Sequence, residues 1–129
     1  MPILKFKGEV FSGKGEAKTF TALPWAKAQM KTELGFVPHS GTLNLKLFGR
    51  STRLRHLLSG DEGFELIPPQ GCCRGLLFEA WLRGIVKCAV VIPQVQNYPI
   101  DVLEVVAPVN LRNRLDLRDG DTVQLDVIL

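Results

Sequence analysis

Leu76-Leu77-Phe78-Glu79-Ala80-Trp81-Leu82-Arg83-Gly84-Ile85-Val86-Lys87-Cys88-Ala89-Val90-Val91-Ile92 holds two strand-forming runs, Leu76 to Leu82 and Ile85 to Ile92, separated only by Arg83-Gly84. A two-residue connection containing glycine suits a tight hairpin, so the runs read as antiparallel neighbours. Outward from this hairpin, apolar residues alternate at Leu43, Leu45, Leu47 and again at Val123, Leu125, Val127. There Thr122, Gln124 and Asp126 take the solvent side of half-buried strands. Leu4 to Val10 and Val102 to Val106 are further strand candidates. Helical signals are few. Pro24 to Leu34 opens on proline and stops at Gly35, and Ser51 to Leu58 and Val109 to Leu115 are shorter. Short strands with little helix and no repeating strand-helix-strand spacing predict a mainly β fold. The expected form is a compact β-barrel with short helical insertions, not a doubly wound sheet.

At 129 residues the chain has the length of one ordinary domain, which at this size buries roughly two thirds of the surface its unfolded form exposes. A single domain over residues 1–129 is therefore expected, and a monomer. Charged residues make up 22% and hydrophobic residues 46%, which argues against a disordered tail and for a folded chain throughout. The formal charge of +3 favours anionic ligands but lacks the concentrated basic stripe of a dedicated nucleic-acid binder. The N-terminal stretch lacks the apolar core of a signal peptide, and no apolar run approaches the roughly 20 residues that span a bilayer. A cytoplasmic location without membrane partners is the expectation. Cys72, Cys73 and Cys88 lack paired metal-ligand spacing with each other or with His39 and His56, so they read as reduced thiols, small buried hydrophobes in place of a zinc site.

Four separated segments could carry chemistry. Ser12-Gly13-Lys14-Gly15-Glu16-Ala17-Lys18-Thr19 fails as a P-loop, because Ser12 and Ala17 stand where that pattern needs glycine and β-favouring residues follow. It remains a glycine-rich turn, either a plain hairpin with solvated lysines or a loop whose N–H groups approach an anion. Thr42 and Asn44 lie two residues apart at a strand entry, which puts both oxygens on one face. They read either as turn caps or as neutral ligands for Mg²⁺, an ion that needs few protein oxygens when phosphates supply the rest. Glu104 interrupts the apolar run Val102 to Val106. It is either solvated at an edge or lines a cleft, where it can accept a hydrogen bond or a proton from a substrate hydroxyl. Arg112 near a helix start can bind phosphate or lie on the surface, and Asp119-Gly120 reads mainly as turn chemistry.

In this order, the segments resemble the archaeal-type CTP-dependent riboflavin kinase family. Gly8 to Ala17 is similar to its G-x-V-x-S-G-x-G-E-G opening, Leu34 to Asn44 to its L-G-F-x-P-Y-x-G-T-L-N, and Glu104 to Arg112 with Asp119 to Asp121 to its E-x-x-A-P-x-x-L-R and D-G-D. The resemblance implies a six-stranded cradle-loop (RIFT-type) barrel. It also implies transfer of the terminal phosphate of CTP to the 5′-hydroxyl of riboflavin, giving FMN and CDP with Mg²⁺. By the same resemblance Thr42 and Asn44 hold the metal, and Lys14, Gly15, Glu16, Ala17, Lys18 and Thr19 wrap the nucleotide. Val109, Asn110, Leu111 and Arg112 also contact it, while Glu104 and Gln96 meet the flavin, with Glu104 placed to activate the hydroxyl. Two departures stand out: Ala17 for the third loop glycine and His39 for tyrosine. Two other readings stay open. One is a flavin- or nucleotide-sensing domain without turnover. The other is a DNA-binding regulator on a related barrel, drawing on Arg50, Arg53, Arg55 and His56, which otherwise form a solvated helix face.

Overall fold

The computed structural model describes residues 2–13, 21–69 and 74–129. Seven strands form one sheet: β1 (Ile3–Phe11), β2 (Leu43–Leu47), β3 (Phe64–Leu66), β4 (Gly75–Leu82), β5 (Val86–Pro93), β6 (Val102–Val106) and β7 (Thr122–Ile128). The order β4-β5-β6-β2-β1-β7 returns to β4 through the pairs Ala80↔Val127 and Leu82↔Leu125, closing six antiparallel strands into a barrel. Closure removes the exposed edges of an open sheet. β3 pairs with the first half of β4, outside the closed ring.

The predicted strands fold where alternation or apolar runs placed them, and β3 is the one addition. Its three residues sit between Gly63 and Pro68-Pro69, too short to show a period. The hairpin turn is closed by the Ile85 N–H donating to the Leu82 carbonyl at 3.0 Å. Arg83 and Gly84 both take positive φ, 54° and 66°, as a turn matching strand twist requires. Because Leu82 pairs with Val86, Ile85 is left as an extra residue outside the register.

Alternation divides the strands between two cores. Phe6, Val10, Leu45, Phe78, Val90 and Leu103 fill the barrel interior. Ala89, Val91 and Val106 point the other way, onto the outer surface, where α1 (Pro24–Leu34) covers them with Ala26, Met30 and Leu34. Those three positions, four apart, form one stripe along the helix. Burying Met30 and Leu34 contributes about 1.5–3 kcal/mol each. The helix begins with Pro24 and ends at Gly35 with φ 79°, whose N–H donates to the Lys31 carbonyl at 2.9 Å. Cys88 lies wholly inside the barrel, and burial pushes its thiol up to about 12, consistent with a packing role. Cys72 and Cys73 fall outside the described residues.

Among the described residues two further short helices follow: α2 (Arg50–Leu54), tightening into a 3₁₀ turn at Arg55–Leu57, and α3 (Leu111–Leu115). The solvated basic face expected at Arg50, Arg53, Arg55 and His56 is broken, because Arg55 is only 7% exposed. Arg55 lies four residues beyond Ser51, which is itself buried and accepts from the Lys7 N–H at 2.7 Å. That spacing turns Arg55 inward. Gly8, inside the barrel, permits the close approach of β1 and β2: a Cβ there would lie 2.9 Å from Leu45 Cβ, an atom with no freedom to move aside. Gly8→Ala is expected to lower stability by about 1–3 kcal/mol through overpacking, read from the denaturation midpoint. A midpoint equal to the parent's would show that the strands part at no cost.

Candidate active site

Register brings the predicted residues together. Phe11 pairs with Asn44 across β1 and β2, Asn44 with Glu104 across β2 and β6, and Glu104 with Val91 across β6 and β5. All four stand on the outer face of the barrel, opposite Leu43, Leu45, Leu103 and Val105. Residues of four strands, β1, β2, β5 and β6, therefore meet at one place.

Glu104 is 1% exposed and Asn44 6%. A carboxylate taken so far from water costs several kcal/mol unless partners satisfy it, and two are present. Thr42 Oγ1 lies 3.1 Å from Glu104 Oε1, and the Tyr98 hydroxyl donates to Oε2 at 2.5 Å. Thr42 Oγ1 is also 3.2 Å from Asn44 Oδ1, so its single proton is shared between an amide and a carboxyl oxygen. The other end of the amide is fixed: Asn44 Nδ2 donates to the Gly13 carbonyl at 3.3 Å. That bond orients Oδ1 toward Thr42 and ties the exit of β1 to the start of β2. The expected pairing of Thr42 and Asn44 on one face is present; Glu104 is not solvated at an edge, and it is buried beside Thr42 and not on the wall of the cleft described next.

Beside this cluster lies a cleft of about 110 Å³, lined by His39, Thr42, Ala107, Val109, Asn110 and Arg112 among others. The loop bearing His39 is pinned to the end of β6 by the His39 N–H donating to the Ala107 carbonyl at 2.7 Å. Asn110 caps α3, its side chain accepting from the Asn113 N–H at 3.2 Å. The predicted helix over Val109 to Leu115 therefore begins two residues later, at Leu111. Arg112 Nη2 donates to Asp119 Oδ1 at 2.8 Å, to Ser12 Oγ at 3.2 Å and to the Phe11 carbonyl at 3.3 Å. The Arg112 guanidinium, and after it the Ser12 hydroxyl, hold the Asp119 carboxyl below its ordinary value. Asp119 thus does more than turn the chain at Gly120: its side chain joins α3 to the end of β1.

Lys14, Gly15, Glu16, Ala17, Lys18 and Thr19 lie outside the described residues. Gln96 is exposed, and the residue of its loop that reaches Glu104 is Tyr98, which sequence reasoning passed over. The signal available was its place beside the turn at Asn97 and Pro99; nothing in the spacing marked its direction. Among the described residues no three His, Cys, Asp or Glu side chains gather into a metal-binding group. No helix among them is long and apolar enough to cross a membrane.

The closed barrel thus carries a buried carboxylate and a neutral oxygen pair on its outer face, with a cleft adjoining them. Residues 10–127 match the family described as CTP-dep_RFKase, domain of unknown function DUF120, and the chain belongs to that family. A riboflavin kinase from Archaeoglobus fulgidus is 39% identical over 98% of this chain and 55% of its own length. One from Pyrobaculum arsenaticum is 41% identical over 98% of this chain and 61% of its own. The chain thus spans little more than half the length of these two relatives. A riboflavin kinase from Sulfurisphaera tokodaii, 35% identical, is matched over 97% of its length.

Proposed function

We propose that this chain phosphorylates riboflavin at its 5′-hydroxyl, taking the terminal phosphate of CTP and releasing FMN and CDP. The observation that carries the reading is the convergence of Thr42, Asn44 and Glu104 on one face, in a chain whose family and named relatives point to the same reaction. In-line phosphoryl transfer asks a protein mainly to position two oxygens and to neutralise charge. A site without a P-loop lysine is compatible with that demand.

The oxygens present fit Mg²⁺. Thr42 Oγ1 and Asn44 Oδ1 are hard and neutral, and their 3.2 Å separation is close to that of neighbouring ligands around an octahedral ion of this size. Mg²⁺ bound there neutralises phosphate charge, and its own charge is not spent on protein carboxylates. A threonine oxygen that gives a lone pair to a cation keeps its proton for Glu104, so one hydroxyl can serve both halves of the site. Glu104 receives the riboflavin hydroxyl, holds it in line and accepts its proton as the new bond to phosphorus forms.

The cleft beside Thr42 takes part of the nucleotide, with Val109, Asn110, Leu111 and Arg112 along its wall. Its volume is well below the ~300–1,000 Å³ that encloses a drug-sized ligand, so the remainder must be held elsewhere. The family resemblance assigns that task to Lys14 through Thr19, the residues that follow Gly13 in sequence. Gln96 stays a candidate flavin contact on the same resemblance.

Incubation with riboflavin, Mg²⁺ and each of CTP, UTP, GTP and ATP is expected to yield FMN preferentially from CTP. Riboflavin binding without FMN from any nucleotide would replace this reading with a sensing domain.

A further inference from the structure

The roles above leave Tyr98 unused, although its hydroxyl makes a 2.5 Å bond to Glu104 Oε2, in the range for an O–H donor to a carboxylate. The loop that carries it is shaped for delivery. Asn97 takes φ 65°, a left-handed backbone that asparagine tolerates better than most residues. The Tyr98 N–H closes on the Val95 carbonyl at 3.4 Å, and Pro99 stiffens the exit. The ring packs against the main core. Burial lowers the Arg55 guanidinium from its ordinary value, and Tyr98 opposes that shift.

The terminal torsion of a glutamate is broad, and strand geometry does not set it. Thr42 holds Oε1 through a proton that Asn44 also competes for. A donor on Oε2 restrains that rotation from the other end of the carboxylate. We propose that Tyr98 is a positioning residue, gripping Glu104 Oε2 so that the carboxylate is held in the orientation that meets the riboflavin 5′-hydroxyl. The inference rests on the reading of Glu104 as the group that meets that hydroxyl.

Tyr98→Phe removes the donor and keeps the ring. With kcat counted per riboflavin-binding site, so that unfolded protein does not register, kcat is expected to fall about 10- to 100-fold. KM for riboflavin and for CTP should stay within about twofold, because a group acting through Glu104 affects the chemical step and not ground-state binding. The double variant Tyr98→Phe with Glu104→Gln should be no slower than Glu104→Gln alone, since there is then no carboxylate left to orient. A raised KM at unchanged kcat, or losses that multiply in the double variant, overturns the positioning role. An impaired Glu104→Gln beside a fully active Tyr98→Phe overturns the proposal alone. A fully active Glu104→Gln overturns the reading of Glu104 and the proposal with it.

Discussion

Asn44→Ala is expected to lower FMN formation by about 10²-fold or more while riboflavin affinity stays within about twofold of the parent. Asn44 supplies one of the two neutral oxygens proposed for Mg²⁺, and through Nδ2 it holds the Gly13 carbonyl. The substitution therefore strikes the proposed metal site and the bond to Gly13 together, and leaves in place the bonds of Thr42 and Tyr98 to Glu104. Raising Mg²⁺ should recover part of the lost turnover, as expected when affinity for the ion has weakened. Asn44→Asp keeps the oxygen but loses the Gly13 bond, and should fall between parent and alanine. Turnover equal to the parent's at limiting Mg²⁺ would remove Asn44 from the metal site.

Glu104→Gln should reduce kcat by about 10²- to 10⁴-fold, the usual worth of a positioned proton acceptor. Thermal stability should hold, because a neutral amide of the same shape is easier to bury than a carboxylate. The contrast between the two readouts separates a group that acts on substrate from one that only fills space. A variant that melts earlier but turns over normally would make Glu104 a structural residue, its bonds to Thr42 and Tyr98 serving the fold alone.

The barrel was legible where side chains alternate or run apolar between turn residues. Val102 to Val106 and Pro24 to Leu34 have the predicted boundaries, the first because apolar residues fill both of its faces, the second because proline and glycine punctuate it. β3 was not legible, since Phe64–Leu66 gains strand geometry only from pairing with β4. For the site, spacing by two gave the shared face of Thr42 and Asn44, and an isolated carboxylate among valines gave Glu104. Their meeting depends on register between β2 and β6, which local pattern does not encode. The same limit hid Tyr98, Asp119 and Arg55. Tyr98 takes its role from a loop that folds back on Glu104, Asp119 from Ser12 at the other end of the chain, and Arg55 from a helix packed against the barrel; each looks in sequence like an ordinary loop or surface residue.

Crystals grown with CDP and with Mn²⁺ in place of Mg²⁺ test the convergence most directly, because the anomalous signal of the ion marks its position independently of the protein's own density. The expected peak lies bonded to Thr42 Oγ1 and Asn44 Oδ1 and to a phosphate oxygen of the nucleotide. An ordered ion held by the phosphates with both side chains out of reach would contradict it.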